Sequence, residues 1–174
     1  DLSGYGRCSL TVAIPVLSVM GHQCCPVPTA ILSNHTEFPV YFFDDYTEKM
    51  TAYTDKWKEL GLSFDAVATG FLGSEAQIEI VMDMIRKLES EETFVVVDPV
   101  MGDHGHAYET YTPEMCEQMK ELVCMADIVL PNVTECCILT DTPYKKENWT
   151  RRELLNMAMM LRLMGAKSVV ITGV

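Results

Sequence analysis

Five short apolar runs, separated by longer amphipathic stretches, constrain this chain more than any other feature. The runs are Gln23–Pro26, Ala66–Thr69, Phe94–Val97, Ile128–Leu130 and Ser168–Thr172. Each is β-branched or otherwise apolar and ends at a Gly, Pro, Asp or Thr, which is the pattern of a strand. Unbroken apolar runs of this kind suit strands buried on both faces, as in a parallel sheet.

Helices are predicted between them. Ser74 caps a helix whose apolar stripe is Ile78, Val81, Met82, Ile85 and Leu88, at steps of three and four. Thr112-Pro113 opens a second, with Pro at its first position and Met115, Met119, Leu122 and Val123 inward. Thr150 caps a third, with Leu154, Leu155, Ala158, Leu161 and Met164 on one side and Gly165 as its stop. Its methionines, Met157–Met164, read as plastic core. Residues Cys8–Met20 and Glu48–Leu60 read as two more helices, the first interrupted by Pro15. Repeated strand–helix–strand units predict an α/β fold: a doubly wound, mainly parallel sheet with helices on both faces and right-handed crossovers. No domain boundary is visible, so residues 1–174 read as a single domain. Both ends look cut. The chain opens on a Gly-bearing loop with no strand before it, and it closes directly after a strand.

Charge narrows the function. Thirteen Lys and Arg stand against 25 Asp and Glu, a net of −12. A surface that acidic repels phosphate backbones and anionic lipid, which argues against nucleic acid and membrane as partners. An anionic substrate would need a metal ion or helix N-termini. No apolar run approaches the roughly 18 residues of a membrane span. Seven cysteines, an odd number without a C-x-x-C pair, read as free thiols in a reducing cytoplasm.

In an open parallel sheet, ligands bind beyond the carboxyl ends of the strands. After Phe94–Val97 comes Asp98-Pro99-Val100-Met101-Gly102-Asp103, two carboxylates flanking a Pro/Gly turn. Hard oxygens in pairs suit Mg²⁺, with waters and phosphate completing its shell. The alternative is that Asp98 caps the loop and Asp103 is solvated. After Ile128–Leu130 comes Pro131-Asn132-Val133-Thr134-Glu135, where Asn132 and Glu135 have capping-box spacing. The functional version puts Glu135 near the same cation and Asn132 on a phosphate. Thr172 and Gly173 offer a hydroxyl and a backbone N–H to phosphate. Ser33-Asn34-His35-Thr36 presents four polar groups at a strand end, enough for a small polar ring or simply for a satisfied turn. In the opening loop, a turn whose glycines take positive φ is favoured over a phosphate cradle. His104-Gly105-His106 lacks the third strong ligand that a zinc site needs.

Together these residues resemble the pyridoxal/pyridoxamine kinases, the vitamin B6 branch of the ribokinase superfamily. The resemblance runs in order through Asp1-Leu2-Ser3-Gly4-Tyr5-Gly6-Arg7-Cys8-Ser9, Ser33-Asn34-His35-Thr36, Thr69-Gly70-Phe71-Leu72-Gly73-Ser74, and the Asp98–Asp103 and Pro131–Glu135 stretches. The Asp98–Asp103 stretch is shared with hydroxymethylpyrimidine kinases; Ser33–Thr36 points to vitamin B6. The resemblance implies a vitamer site built from Asp1, Ser33, His35, Thr36 and Phe71. It implies Mg²⁺ organised by Asp98, Asp103 and Glu135. It also implies ATP contacts from Asp98, Tyr108, Asn132, Glu135, Thr172 and Gly173, and a homodimer. Phe71 stands where relatives often have Tyr, and Leu130 where some have Thr. The family's Gly-Thr-Gly-Asp segment, with its catalytic base, is absent from these residues, so it is expected beyond Val174, and no catalytic base is assigned within the chain. The first strand is likewise expected before Asp1. The implied reaction is ATP-dependent phosphorylation of the 5′-hydroxymethyl group of pyridoxal, pyridoxamine or pyridoxine, with residues 1–174 alone nearly inactive. The alternatives are a hydroxymethylpyrimidine kinase and a vitamer-binding protein without phosphotransfer.

Overall fold

The computed structural model describes residues 1–36, 38–88, 90 and 92–174. Its contacts gather into two compact units. One holds Asp1–Leu62 with Phe71–Gly73; the other holds Ser63–Gly70 with Ser74–Val174.

The first unit opens with β1 (Leu2–Tyr5), followed by α1 (Ser9–Val19), β2 (Ala30–Asn34), β3 (Phe43–Asp45) and α2 (Thr47–Glu59). The opening segment, expected as a loop, is therefore a strand, paired in parallel with β2. Its Gly4 admits this because a side chain there would meet the Ser33 carbonyl oxygen at 3.0 Å. The expected strand at Gln23–Pro26 does not form; the ladder starts at Ala30 instead. Pro26 and Pro28 have no N–H to give to a neighbour, so the run between α1 and β2 stays unpaired. β3 was not foreseen. It lies antiparallel on β2, with Leu32 opposite Phe43. In α1, which is apolar on every side, no residue is fully buried.

In the second unit four strands line up as β4 (Ala66–Ala68), β5 (Phe94–Val97), β8 (Ile128–Val129) and β9 (Ser168–Val169), all parallel. Beyond β9 the ladder bonds continue: Val170 N–H donates to Val129 O and Thr172 N–H to Pro131 O, both at 2.9 Å. The crossovers carry α3 (Glu75–Leu88), α4 (Pro113–Cys124), α5 (Val133–Leu139) and α6 (Arg151–Met164). Ser74 Oγ accepts from Gln77 N–H, and the whole expected stripe of α3 is buried. Thr112 caps α4 through Met115 N–H, and its four expected residues are inward. Thr150 and Glu153 cap α6 reciprocally. There the inward set differs from the expectation: Met157 and Leu161 are buried while Leu155 is 52% exposed. The helical stripe runs 154–157–158–161–164, and Leu155 sits one residue, about 100°, off it. Met159 and Met160 also face outward, so they are not core.

Between β5 and α4 lies a small hairpin, β6 (Gly102–Asp103) and β7 (His106–Ala107). Its two-residue turn, His104-Gly105, has φ of 51° and 86°. Two successive positive φ values are what the tightest hairpin turns require. No helix among the described residues is long and apolar enough to cross a membrane.

Candidate functional site

The second unit gathers its polar groups at the carboxyl ends of β5, β8 and β9. Asn132 is the N-cap of α5, and its Oδ1 accepts from Glu135 N–H at 3.0 Å. Glu135 answers with Oε2, which accepts from Asn132 N–H at 2.8 Å, so the capping box is real. The same two side chains also reach the loop after β5. Glu135 Oε1 accepts from Met101 N–H at 3.1 Å, and Asn132 Nδ2 donates to Gly102 O at 2.9 Å. The structural version of this motif therefore extends beyond the helix end: the cap of α5 also holds the Asp98–Asp103 loop in place. Asn132 also forms a parallel bridge with Thr172, which brings β9's end, with Gly173 at φ +67°, to the same rim.

Electrostatics bind the carboxylates into one neighbourhood. Glu135 is only 3% exposed. Burial away from water pushes its carboxyl up to about 7, Asp98's charge pushes the same way, and the N–H donors of Asn132 and Met101 oppose it. Burial also raises Asp98. Asp98 is half-buried, and among the described residues its carboxylate makes no hydrogen bond or ion pair. The Tyr108 phenol is raised by burial first, then by Asp103, Glu135 and Asp98 in turn. All three expected metal carboxylates therefore act on one ring. Asp103 itself is turned outward, holding His104 N–H at 2.7 Å. Among the described residues, no three His, Cys, Asp or Glu side chains converge tightly enough to cage a metal unaided. Just past the end of the neighbouring β4, Thr69 Oγ1 is buried without a partner among the described residues.

The first unit arranges its polar groups differently. Asp1's carboxylate accepts from Ser3 Oγ at 2.8 Å and from Ser9 Oγ at 2.7 Å. Ser9 holds φ +51° at the first turn of α1, a conformation that a non-glycine residue keeps only under constraint. Ser33 Oγ donates to Asn34 Oδ1 and accepts from Phe42 N–H at 2.8 Å, while Asn34 Nδ2 donates to Val40 O at 3.0 Å. His35 packs at a tilt against Phe38, ring centroids 4.6 Å apart, and lies over Gly6, where any Cβ would meet its ring at 2.7 Å. Thr36 is exposed and Phe71 half-buried, with Phe71 O accepting from Thr29 Oγ1 at 3.0 Å. Ser33 and His35 are joined through Asn34 at the end of β2, whereas Asp1, ahead of β1, is held separately by Ser3 and Ser9.

Sequence reasoning missed four contributors. Ser3 and Ser9 hold Asp1; the alternation of a strand places Ser3 on the face of Asp1, a signal that was available. Thr134 Oγ1 accepts from Gly105 N–H at 2.9 Å, and Tyr144 packs on Gly105. Both join segments about 30 to 40 residues apart, which no local pattern announces.

A model of the phosphomethylpyrimidine kinase family matches residues 14–174. Among curated relatives, a pyridoxal kinase of Dictyostelium discoideum is 30% identical over 92% of this chain and 53% of its own length. Among solved structures, a Bacteroides thetaiotaomicron protein described as a phosphomethylpyrimidine kinase, crystallised with pyridoxal, is 46% identical. It has a TM-score of 0.93 over 98% of this chain and 59% of that one. The pyridoxal kinase of Lactobacillus plantarum is 30% identical, with a TM-score of 0.91 over 100% of this chain and 62% of that one. The chain spans about half the length of the curated relatives it matches. These neighbours bear out the doubly wound, mainly parallel α/β fold of the ribokinase type. A match running from within α1 to Val174 has one consequence: the chain belongs to the phosphomethylpyrimidine kinase family, with pyridoxal kinases among its relatives.

Proposed function

We propose that the protein carrying this chain is a vitamin B6 kinase, transferring the γ-phosphoryl of ATP to the 5′-hydroxymethyl group of pyridoxal, pyridoxamine or pyridoxine. One observation carries the phosphotransfer: a half-buried Asp98, without a partner among the described residues, beside buried Glu135, at strand tips of a chain from a kinase family. Two neighbouring carboxylates out of water are costly unless a cation offsets them. The donor set fits Mg²⁺, which takes one or two carboxylates and keeps waters and phosphate oxygens in its shell. Asp98 and Asp103 would hold it, and Glu135, whose oxygens already accept backbone N–H groups, would reach it through water. When bound, Mg²⁺ supplies charge neutralisation at the transferring phosphoryl group. Asn132, Thr172 and Gly173 line the phosphate side of this rim, and Tyr108 stands over the nucleotide. Phosphoryl transfer is mostly positioning, and the capping box that holds the Asp98–Asp103 loop suits that demand.

Asp1, Ser33, His35, Thr36 and Phe71 form the vitamer side. The pyridoxal held by a protein 46% identical to this one supports that substrate class. In this reading both units belong to one ribokinase-like kinase domain, and the general base that takes the hydroxyl proton is none of residues 1–174. The enzyme works in the cytoplasm as a homodimer on small molecules, without nucleic acid or membrane. The name of the matching family model favours one competitor, phosphorylation of a hydroxymethylpyrimidine. Rates of the complete encoded protein with MgATP on pyridoxal, pyridoxamine and the pyrimidine alcohol decide. The B6 reading requires the first two to exceed the third. A faster pyrimidine rate overturns it, and vitamer binding without turnover points to a non-catalytic binder.

A further inference from the structure

We propose that Thr134 and Tyr144 are positioning residues for the phosphate rim: they clamp the tip of the β6–β7 hairpin, which carries Asp103 and leads into Tyr108. The proposal rests on the kinase reading above.

Asp103 has little of its own to hold it. Its carboxylate is exposed, and its contacts are to His104, whose side chain is 92% exposed. Where Asp103 stands is therefore decided by the backbone of the hairpin. The root of the hairpin is held by groups already described: Glu135 on Met101 N–H, Asn132 on Gly102 O, and Tyr108 N–H on Met101 O at 2.9 Å. At the root itself Gly102 faces the backbone of His106 and Ala107, too close to leave room for a side chain. A two-stranded ribbon this short, held only at its root, is free to pivot there.

The tip supplies the second point. Gly105 N–H donates to the Thr134 hydroxyl, and Thr134 is 3% exposed, one residue before Glu135 in the first turn of α5. Gly105 also lies against the Tyr144 ring, where an added Cβ would stand 2.6 Å from Cε1 and 3.0 Å from Cγ. Tyr144 is backed by Trp149, ring centroids 6.2 Å apart, and Trp149 is fixed by its Nε1 donating to Lys145 O at 2.8 Å. The loop between α5 and α6 thus reaches across to a glycine that its positive φ and this ring both require. Two points of support, root and tip, define the direction of the ribbon and with it the places of Asp103 and Tyr108.

The test uses the complete encoded protein and two independent readouts. Amide hydrogen exchange over residues 102–107 reads the clamp; KM for MgATP and KM for pyridoxal read its consequence. Thr134→Val keeps the shape and removes the acceptor. Tyr144→Ala removes the ring, and Tyr144→Phe keeps it. We expect Thr134→Val and Tyr144→Ala to speed exchange at the hairpin and to raise KM for MgATP, each by about tenfold, the scale of one lost hydrogen bond. KM for pyridoxal should stay within about twofold, and Tyr144→Phe should restore both quantities. Unchanged exchange in both variants, or a rise in KM for pyridoxal that matches the rise for MgATP, overturns the proposal. If the unmodified protein phosphorylates neither vitamer nor pyrimidine, the kinase reading fails. The clamp is then decided by the exchange data alone.

Discussion

The two polar strand ends differ in what their side chains have left to offer a ligand. In the first unit, Ser33 and Asn34 are engaged by close neighbours in sequence, through hydrogen bonds that are exposed to water. In the second, Asn132 and Glu135 hold backbone groups 30 and 34 residues away, in a part-buried to buried setting, and Asp98 is left without a partner among the described residues. Exposed bonds exchange readily with water or ligand, so each contributes little net stability. Buried ones cannot be exchanged without leaving a donor orphaned. The acidic strand tips are thus tied together by buried bonds, with the Asp98 carboxylate unengaged among the described residues, whereas the bonds of Ser33 and Asn34 are open to exchange with water.

Asp98→Asn tests that carboxylate most severely. Under the kinase reading, kcat/KM should fall at least about a hundredfold, the scale for removing one preorganised electrostatic group. Thermal stability should hold or rise, because the variant removes a desolvated charge that pairs with nothing among the described residues. A variant that keeps its rate, or one that melts earlier, would show that Asp98 is a structural residue and the contrast misdrawn.

Glu135→Ala should separate the two ends by stability. It leaves Met101 N–H and Asn132 N–H without acceptors, at roughly 1–3 kcal/mol for each buried group. Urea unfolding of the variant against the parent reads this directly. A loss under about 0.5 kcal/mol would mean that water reaches these donors and that the rim is not buried in the sense argued here.

How much of this was legible in the sequence depends on the range of the cause. The capping box at Asn132–Glu135 and the stripe of α3 are local, and the spacing alone gave both. The reach of Glu135 back to Met101 is non-local, and only the folded chain reveals that one side chain serves both as cap and as loop clasp. The β6–β7 hairpin escaped because strands of two residues carry no periodicity; its one signal was Gly105 in a two-residue turn. The strand at Leu2–Tyr5 escaped because Ser3, Gly4 and the flanking glycine read as loop chemistry, yet pairing with β2 outweighs those propensities. For α1 the pattern was uniform rather than misleading, since a helix apolar on every side does not say which side faces inward.

Acidity offers a third contrast. The folded chain holds Glu135's proton up to about pH 7, while the unfolded chain releases it near 4.5. The folded state therefore binds more protons across that window, and its stability falls as pH rises from about 4.5 to about 7. Above 7 this contribution is level. Its size is on the order of 3 kcal/mol. Chelator-treated protein is needed, because a cation near Asp98 would favour the ionised form and remove the slope. Glu135→Gln should flatten the profile of stability against pH between those limits; a profile that keeps its slope in that variant would assign the effect to another group, Asp98 first.

Ser33→Ala is the smallest change and it sharpens the other side of the comparison. The hydroxyl accepts from Phe42 N–H and donates to Asn34 Oδ1, so it ties β2 to the segment that returns as β3. Both partners are accessible to water once it is gone, so the cost to folding should be about 0.5–1 kcal/mol. Under the kinase reading the same hydroxyl also faces the vitamer, and KM for pyridoxal should rise while KM for MgATP stays put. The two effects are separable: unfolding measures the bond to Phe42, and the ratio of the two KM values measures the contact with substrate. A stability loss as large as that of Glu135→Ala would mean that the first unit's end is as rigidly built as the second's. Its polar groups would then not be free to change partners when a ligand binds.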